Sequence, residues 1–169
     1  MSEILQKIKT TRFGEIEIDE TLVFDFVSPI IGYNDEKKFA LIDWRPDSPF
    51  KWLQSLKTPE LAFPVTLCSY FQIDYQFELS DQDAQTLGIE NAEDVLALNI
   101  VTIPQINPKG ATINLLAPII INTQTNAAAQ IILKDSNLPV RKPLFENQEK
   151  ASEDFQKAKE ERKKDEGLK

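Results

Sequence analysis

The sequence predicts a mainly β fold, a compact barrel-like sheet accompanied by one or two short helices. Short apolar runs are separated by turn residues from Phe13 to Leu133, and several alternate apolar and polar residues with the period of a half-buried strand. Only one segment carries clear helix signals. With 169 residues and 41% hydrophobic residues, the chain has enough apolar material for one core.

The first half of the chain reads as strands divided by turns. Phe13–Ile18 alternates apolar and acidic residues, Asp19 and Glu20 form a turn, and Thr21–Val27 makes the next strand. Further strands are expected at Phe39–Ile42, Phe50–Leu56 and Leu61–Leu67. Because proline cannot donate to a central ladder, Pro64 predicts that the last of these is an edge strand or contains a bulge.

The second half contains the predicted helix. Ser80 is a good N-cap, Asp81 and Asp83 favour the positive helix start, and Gly88 is a good terminator. A second short turn is expected over 91–94. The remaining predicted strands are Val95–Ile103, Ala111–Leu116, Ile119–Ile121 and Ala128–Leu133.

Composition divides the chain into a folding domain over residues 1–145 and a charged C-terminal segment over residues 146–169. The segment contains eight acidic and seven basic residues, and Phe155 and Leu168 are almost its only apolar side chains. Such a composition cannot bury enough surface to form a core. We expect it to be disordered or to form a solvated helix through pairs such as Glu153–Lys157.

The missing residue types argue against catalysis and metal binding. The chain has no histidine and one cysteine, Cys68, so histidine-based triads, thiolate clusters and internal disulfides are all impossible. We expect no catalytic, metal or cofactor site, no small-molecule substrate, and a buried Cys68. The unpaired cysteine, the lack of a signal peptide and the lack of a long apolar run predict a cytoplasmic protein without membrane contact. A net charge of −8 disfavours direct nucleic-acid binding.

The acidic clusters fit structural roles better than chemical ones. They lie at predicted turns or at the helix start, where carboxylates are expected: Asp19-Glu20, Asp35-Glu36, Asp81-Gln82-Asp83 and Glu93-Asp94. The third cluster begins like a calcium loop, but Thr86 and Ala92 replace the glycine and glutamate that such a loop requires. The five glycines never cluster into a phosphate-binding loop.

Two features leave alternatives open. An aromatic-rich stretch with few basic neighbours favours core packing over a stacking platform for single-stranded nucleic acid: Trp44, Phe50, Trp52, Tyr70, Phe71, Tyr75 and Phe77. Asn114, Asn122 and Asn126 either satisfy bent backbone or form a polar interface.

Four stretches, in order along the chain, resemble the family of flagellar assembly factor FliW. They are Thr11–Glu17, Pro49–Ser55 with Leu61–Phe63, Asn114–Asn122 and Asp135–Arg141. The resemblance extends from about Thr10 to Phe145. The region Val27–Gly32 departs from the Pro-Glu-Gly-Ile-Pro-Gly pattern of the family, and residues after Phe145 lie outside that pattern.

The resemblance implies a mostly β, barrel-like cytoplasmic regulator without catalytic activity. It implies two partners, flagellin and the RNA-binding translational repressor CsrA. In this scheme free flagellin occupies the factor, and after flagellin export the factor captures CsrA and relieves repression of flagellin mRNA. An acidic chain suits a ligand of a basic RNA-binding protein.

The resemblance also selects candidate partner-binding residues, although both groups equally fit core signatures of the family. They are Trp52, Leu53, Gln54 and Ser55 in one segment, and Asn114, Leu116, Pro118 and Asn122 in the other. Two other functional classes remain open on the sequence, an oligonucleotide- or carbohydrate-binding β-barrel module and a carboxylate-based glycosidase, which needs two facing carboxylates.

Overall fold

The computed structural model describes residues 5–134 and 136–145. Its strands are β1 (Leu5–Thr10), β2 (Gly14–Asp19), β3 (Val23–Ser28), β4 (Lys38–Ile42), β5 (Lys51–Ser55), β6 (Ala62–Thr66), β7 (Val95–Thr102), β8 (Thr112–Ile113), β9 (Ile119–Asn122), β10 (Ala127–Gln130) and β11 (Lys142–Pro143). One α-helix, α1 (Asp81–Thr86), lies between β6 and β7. Across these residues no helix has the length and hydrophobicity needed to span a membrane.

Seven of the strands close into a barrel. They follow the order β7-β6-β5-β4-β3-β10-β9, and β9 returns to pair with β7, where Leu98 lies opposite Ile119. All neighbours are antiparallel except β3 and β10, which are parallel. Closure gives every barrel strand two hydrogen-bonded neighbours and leaves the ring without a free edge.

The barrel interior is filled by alternate residues from all seven strands. Because successive side chains of a strand point to opposite faces, one set from each strand meets in the middle. The set comprises Phe24, Phe26, Phe39, Leu53, Val65, Leu98, Ile119, Ile121 and Ala128, with Ile30 from the loop after β3. Burial of these side chains is the main stabilising contribution to the fold.

Three additions cover the outside of the barrel. The β1–β2 hairpin packs Ile8 and Ile18 over Ala40 and Ile42 of β4. The segment that includes α1 covers Ile120 and the neighbouring outer face, and β8 and β11 extend the sheet at β7. The strand β9 is therefore buried on both faces, which explains the continuous apolar run of its sequence.

The structure confirms the mainly β, barrel-like prediction. The N-cap at Ser80 is confirmed, since its hydroxyl accepts the Asp83 N–H at 3.0 Å, and a short 3-10 turn forms over Ala92–Asp94. The strand predicted over Ala111–Leu116 is reduced to β8, and the last predicted strand ends at Gln130. We predicted neither β1, whose side chains lack a long apolar run, nor the two-residue β11.

The prediction of an edge strand or a bulge at Pro64 was wrong. The strand β6 lies between β5 and β7, and its register with β5 is regular through Pro64. Pairing with β7 begins only at Val65, so the missing proline N–H removes no ladder bond to that strand. The predicted charged segment, residues 146–169, lies outside the described residues.

Candidate partner-binding surfaces

The predicted segment Trp52–Ser55 is the central strand β5, and most of it is interior. Leu53, Gln54 and Ser55 each have 0% exposure, and Leu53 belongs to the barrel core. Trp52 is half-buried and is the one member that reaches a surface cavity. In the free protein the three buried side chains therefore have structural roles, and their assignment to partner binding stays a prediction.

The buried polar residues of this segment hold the β5–β6 turn. The Gln54 Nε2 donates to the carbonyls of Ser55, Thr58 and Pro59 at 3.0–3.4 Å. The Ser55 hydroxyl donates to Glu36 at 2.6 Å and accepts the N–H groups of Lys57 and Thr58. A buried carboxylate is stable only when hydrogen bonds replace its hydration, and here the two hydroxyls of Ser55 and Thr58 do so. We call Glu36, Gln54, Ser55 and Thr58 the turn network.

The second predicted segment also has clear structural roles. The Asn114 Oδ1 accepts the Ala117 N–H at 3.0 Å. The Asn122 Nδ2 donates to the carbonyls of Leu87 and Gly88, at 2.9 and 3.2 Å. Pro118 is buried and Leu116 is half-buried. Partner binding by these four residues stays a prediction.

The asparagines support irregular backbone, one of the two alternatives left open by the sequence. Besides the bonds of Asn114 and Asn122, the Asn126 Nδ2 donates to the carbonyls of Thr21 and Val23, at 2.7 and 3.0 Å. Asn126 has φ +64°, in the left-handed region that asparagine tolerates better than most residues. Each amide thus replaces a backbone partner where a strand bends or ends.

A larger and a smaller surface cavity stand out among the described residues, and the larger is a long groove of about 960 Å³. Two extended stretches, 76–80 and 130–134, lie along it, together with part of α1. Ile31 and Ile132 line it with exposures of 56% and 44%, and the charged lining residues are Glu78, Asp83 and Lys134. We call this cavity the long groove. Exposed aliphatic side chains inside a polar rim are typical of protein-binding surfaces.

The smaller cavity is an arginine- and tryptophan-lined pocket of about 330 Å³, which we call the Arg–Trp pocket. It is lined by Arg12, Phe13, Trp44, Arg45, Ser48, Phe50, Trp52 and Ile103. The Arg12 guanidinium lies 3.9 Å from the centre of the Trp52 ring, and Phe13 lies 4.8 Å from Trp44, ring centre to ring centre. The hairpin β1–β2 therefore supplies one wall and β5 with its preceding loop supplies the other.

The sequence did not identify these two cavities. The aromatic stretch favoured core packing, and this is correct for Phe71, which is buried. It is wrong for Trp44 and Tyr70, which are 53% and 52% exposed. Both tryptophans of the chain line the Arg–Trp pocket. The available signal was the pair of arginines at positions 12 and 45, whose proximity depends on how the hairpin packs on β5.

Burial keeps two titratable groups, the Cys68 thiol and the Tyr75 phenol, in their protonated forms. Burial raises the pKa of the Cys68 thiol to about 11 and that of the Tyr75 phenol to about 12, so both stay protonated at neutral pH. Cys68 is buried, as predicted. Within residues 5–134 and 136–145, no three histidine, cysteine or acidic residues cluster in a way that could hold a metal ion.

Comparison with known proteins gives a consistent family match. Residues 7–144 match the family model described as "FliW protein". The flagellar assembly factor FliW of Leptospira biflexa is 38% identical over 145 residues, which are 86% of this chain and 95% of the relative. The protein of the same name from Exiguobacterium is 45% identical over 138 residues, 81% of this chain and 93% of the relative.

A solved structure shows the same fold. A crystal structure of the flagellar assembly factor FliW superposes with a TM-score of 0.75 and 33% sequence identity, and the match covers 82% of this chain and 96% of the other. The covered part contains nearly the whole length of these relatives, so the likeness extends to the complete domain.

Proposed function

Since this chain belongs to the FliW family of flagellar assembly factors, we propose that it is a non-enzymatic cytoplasmic protein that binds flagellin and CsrA. The observation that carries the proposal is the family match over residues 7–144, which spans the entire barrel. The absence of histidine from the chain supports a binding role, because it removes the side chain most often used for acid–base catalysis at neutral pH.

The proposed mechanism is a switch between two partners. Flagellin occupies the protein while it awaits export, and once flagellin has left, the protein binds CsrA and relieves repression of flagellin mRNA. A net charge of −8 supports this by attracting a basic RNA-binding protein and raising the association rate more than the affinity. Linkage requires that if flagellin weakens CsrA binding, CsrA weakens flagellin binding by the same factor.

Among the described surfaces, the long groove is the one we propose for partner binding. It presents Ile31 and Ile132 to solvent, whereas most of the residues selected from the sequence are buried and the other three, Trp52, Asn114 and Leu116, are half-buried. A partner segment that covers the two isoleucines gains the free energy of removing their apolar surface from water. We retain Trp52, Asn114 and Leu116 as further proposed contacts.

A competition experiment tests the switch. Flagellin titrated into a preformed complex with CsrA should release CsrA and restore its binding to RNA, and CsrA titrated into the flagellin complex should release flagellin. The released partner is measured by fluorescence anisotropy of labelled CsrA and labelled flagellin. A stable ternary complex with unchanged affinities contradicts the switch, and failure of both binary complexes contradicts the proposed function.

A matched pair of variants tests the groove in the same assay. Ile132→Asp should weaken binding of at least one partner about tenfold or more, because a charge then faces the apolar contact. Ile106→Asp is the control, since Ile106 is 100% exposed and does not line the groove. Equal affinities for the two variants would remove the groove from the proposal and leave the family assignment intact.

A further inference from the structure

The Arg–Trp pocket has the opposite charge to the chain as a whole. Among the described residues, its lining includes Arg12 and Arg45 and no carboxylate, although the whole sequence has 27 acidic residues against 19 basic ones. Within the described residues neither arginine takes part in an ion pair, and Asp43, the acid next to Trp44, is paired with Lys51 at 3.0 Å. The pocket therefore favours a ligand that combines negative charge with an apolar or aromatic group.

The described chain ends two ring contacts away from this pocket. The Phe145 ring lies 6.0 Å from that of Phe71, and the Phe71 ring lies 5.6 Å from that of Phe50, which lines the pocket. Phe155 lies ten positions after Phe145, and an extended chain covers about 3.3 Å per residue. The chain that follows Phe145 is thus long enough for Phe155 to reach the pocket.

That chain carries the chemistry that the pocket selects. Glu153 and Asp154 place two carboxylates directly before Phe155, the one aromatic residue after Phe145. Carboxylates form charge-assisted hydrogen bonds with guanidinium groups, and a phenylalanine ring packs well against tryptophan. The other two acidic pairs of the segment, Glu160-Glu161 and Asp165-Glu166, have no aromatic neighbour.

We propose that Glu153, Asp154 and Phe155 bind the Arg–Trp pocket of their own chain, with the carboxylates on Arg12 and Arg45 and the phenylalanine against Trp44. Only residues 146–152 separate Phe145 from these three residues. Binding within one chain therefore has a high effective concentration, and modest contacts are sufficient. Any other ligand of the pocket must displace the segment first. The inference does not rest on the proposed function; where Trp52 contacts a partner, as proposed above, the segment competes with that partner for it.

The two tryptophans report on the pocket directly, because the chain has no others. In the full chain, the triple variant Glu153→Gln, Asp154→Asn, Phe155→Ala should shift the indole N–H resonances in a nitrogen–proton correlation spectrum. It should also move tryptophan emission to longer wavelength and increase quenching by acrylamide, since Trp44 becomes more exposed to water. Added peptide of residues 150–158 should return the parent spectrum, and about 0.5 M salt should oppose the peptide.

Two controls make the test specific. The variant Glu160→Gln, Glu161→Gln, Leu168→Ala also removes two carboxylates and one apolar side chain, and it should leave both indole resonances unchanged. Arg45→Glu should reproduce the spectrum of the first triple variant, whereas Lys37→Glu, an equal charge change outside the pocket, should not. Identical spectra for the parent and the first triple variant overturn the proposal. Indole shifts that depend on protein concentration also overturn it, because the segment then binds a neighbouring copy.

Discussion

The strand β5 has two ends with opposite character. At Ser55, the Glu36 carboxylate and the Gln54 amide are buried beneath the β5–β6 turn as part of the turn network, and Gln54 and Ser55 have 0% exposure. At Trp52, three residues earlier, the strand lines an open pocket with two arginines. Four consecutive residues of one motif therefore divide between scaffold and surface. A motif that identifies a family need not be a contact site, because residues that fix a tight turn are as restricted in type as residues that bind.

The largest effect on the free energy of unfolding should follow from a substitution in the turn network, at the Ser55 end of β5. Ser55→Ala removes the hydroxyl that donates to Glu36 at 2.6 Å and accepts two backbone N–H groups. Loss of one partner leaves buried polar groups unsatisfied, so we expect the free energy of unfolding to fall by about 3 kcal/mol. Urea denaturation followed by circular dichroism measures this loss. Ser69→Ala, the same change at an exposed serine, should cost little, and equal losses at the two serines would contradict the structural role of the turn network.

A smaller effect on the free energy of unfolding is expected at the other end of β5, which lines the Arg–Trp pocket. Trp44 is 53% exposed and contacts Phe13 at 4.8 Å, so Trp44→Ala should lower the free energy of unfolding by only about 1 kcal/mol. Chemical denaturation measures the change, and the far-ultraviolet spectrum should stay that of the parent. A loss as large as that of Ser55→Ala would show that the pocket is part of the scaffold and would end the contrast between the two ends of β5.

The smallest effect should come from removing residues 146–169. If the segment contacts only the Arg–Trp pocket, its deletion removes exposed charge contacts and one ring contact. The free energy of unfolding should therefore fall by less than about 1 kcal/mol. The shortened chain, 1–145, should unfold in one cooperative transition with an unchanged denaturant dependence. Loss of cooperative unfolding would place the segment in the core, against the division of the chain at residue 145.

The elements that the sequence predicted well are those specified by neighbouring residues. The N-cap at Ser80, the alternation of Phe13–Ile18 and the apolar run Ile119–Ile121 all appear as expected, because caps and periodicity act within a few residues. The strand β1 was missed because its sequence, LQKIKT, gains strand structure only by pairing with β2, from Leu5 opposite Asp19 to Thr10 opposite Gly14. The prediction from Pro64 was wrong because a proline in a strand removes a ladder hydrogen bond only where the neighbouring strand is paired, and pairing with β7 begins at Val65.

The candidate surfaces were less predictable than the elements. The arginines of the Arg–Trp pocket come from the hairpin and from the loop before β5, 33 positions apart in the chain, and no local pattern relates them. The long groove likewise lies between stretches 76–80 and 130–134. Exposure of Trp44 and burial of Gln54 follow from which neighbour covers each residue: Trp44 contacts the hairpin on one side, at Phe13, whereas the β5–β6 turn covers Gln54.

The sequence by itself determined the fold class, the helix start, the family and the lack of histidine chemistry, since composition, periodicity and ordered motifs are properties of the chain. Only the tertiary structure decided that Gln54, Ser55 and Asn122 are buried supports and that Arg12, Trp44 and Arg45 form a surface pocket. The physical reason is that burial and charge pairing depend on contacts between distant segments. The residue type decides which contacts a side chain can make, and the packing around it decides whether a partner can reach it.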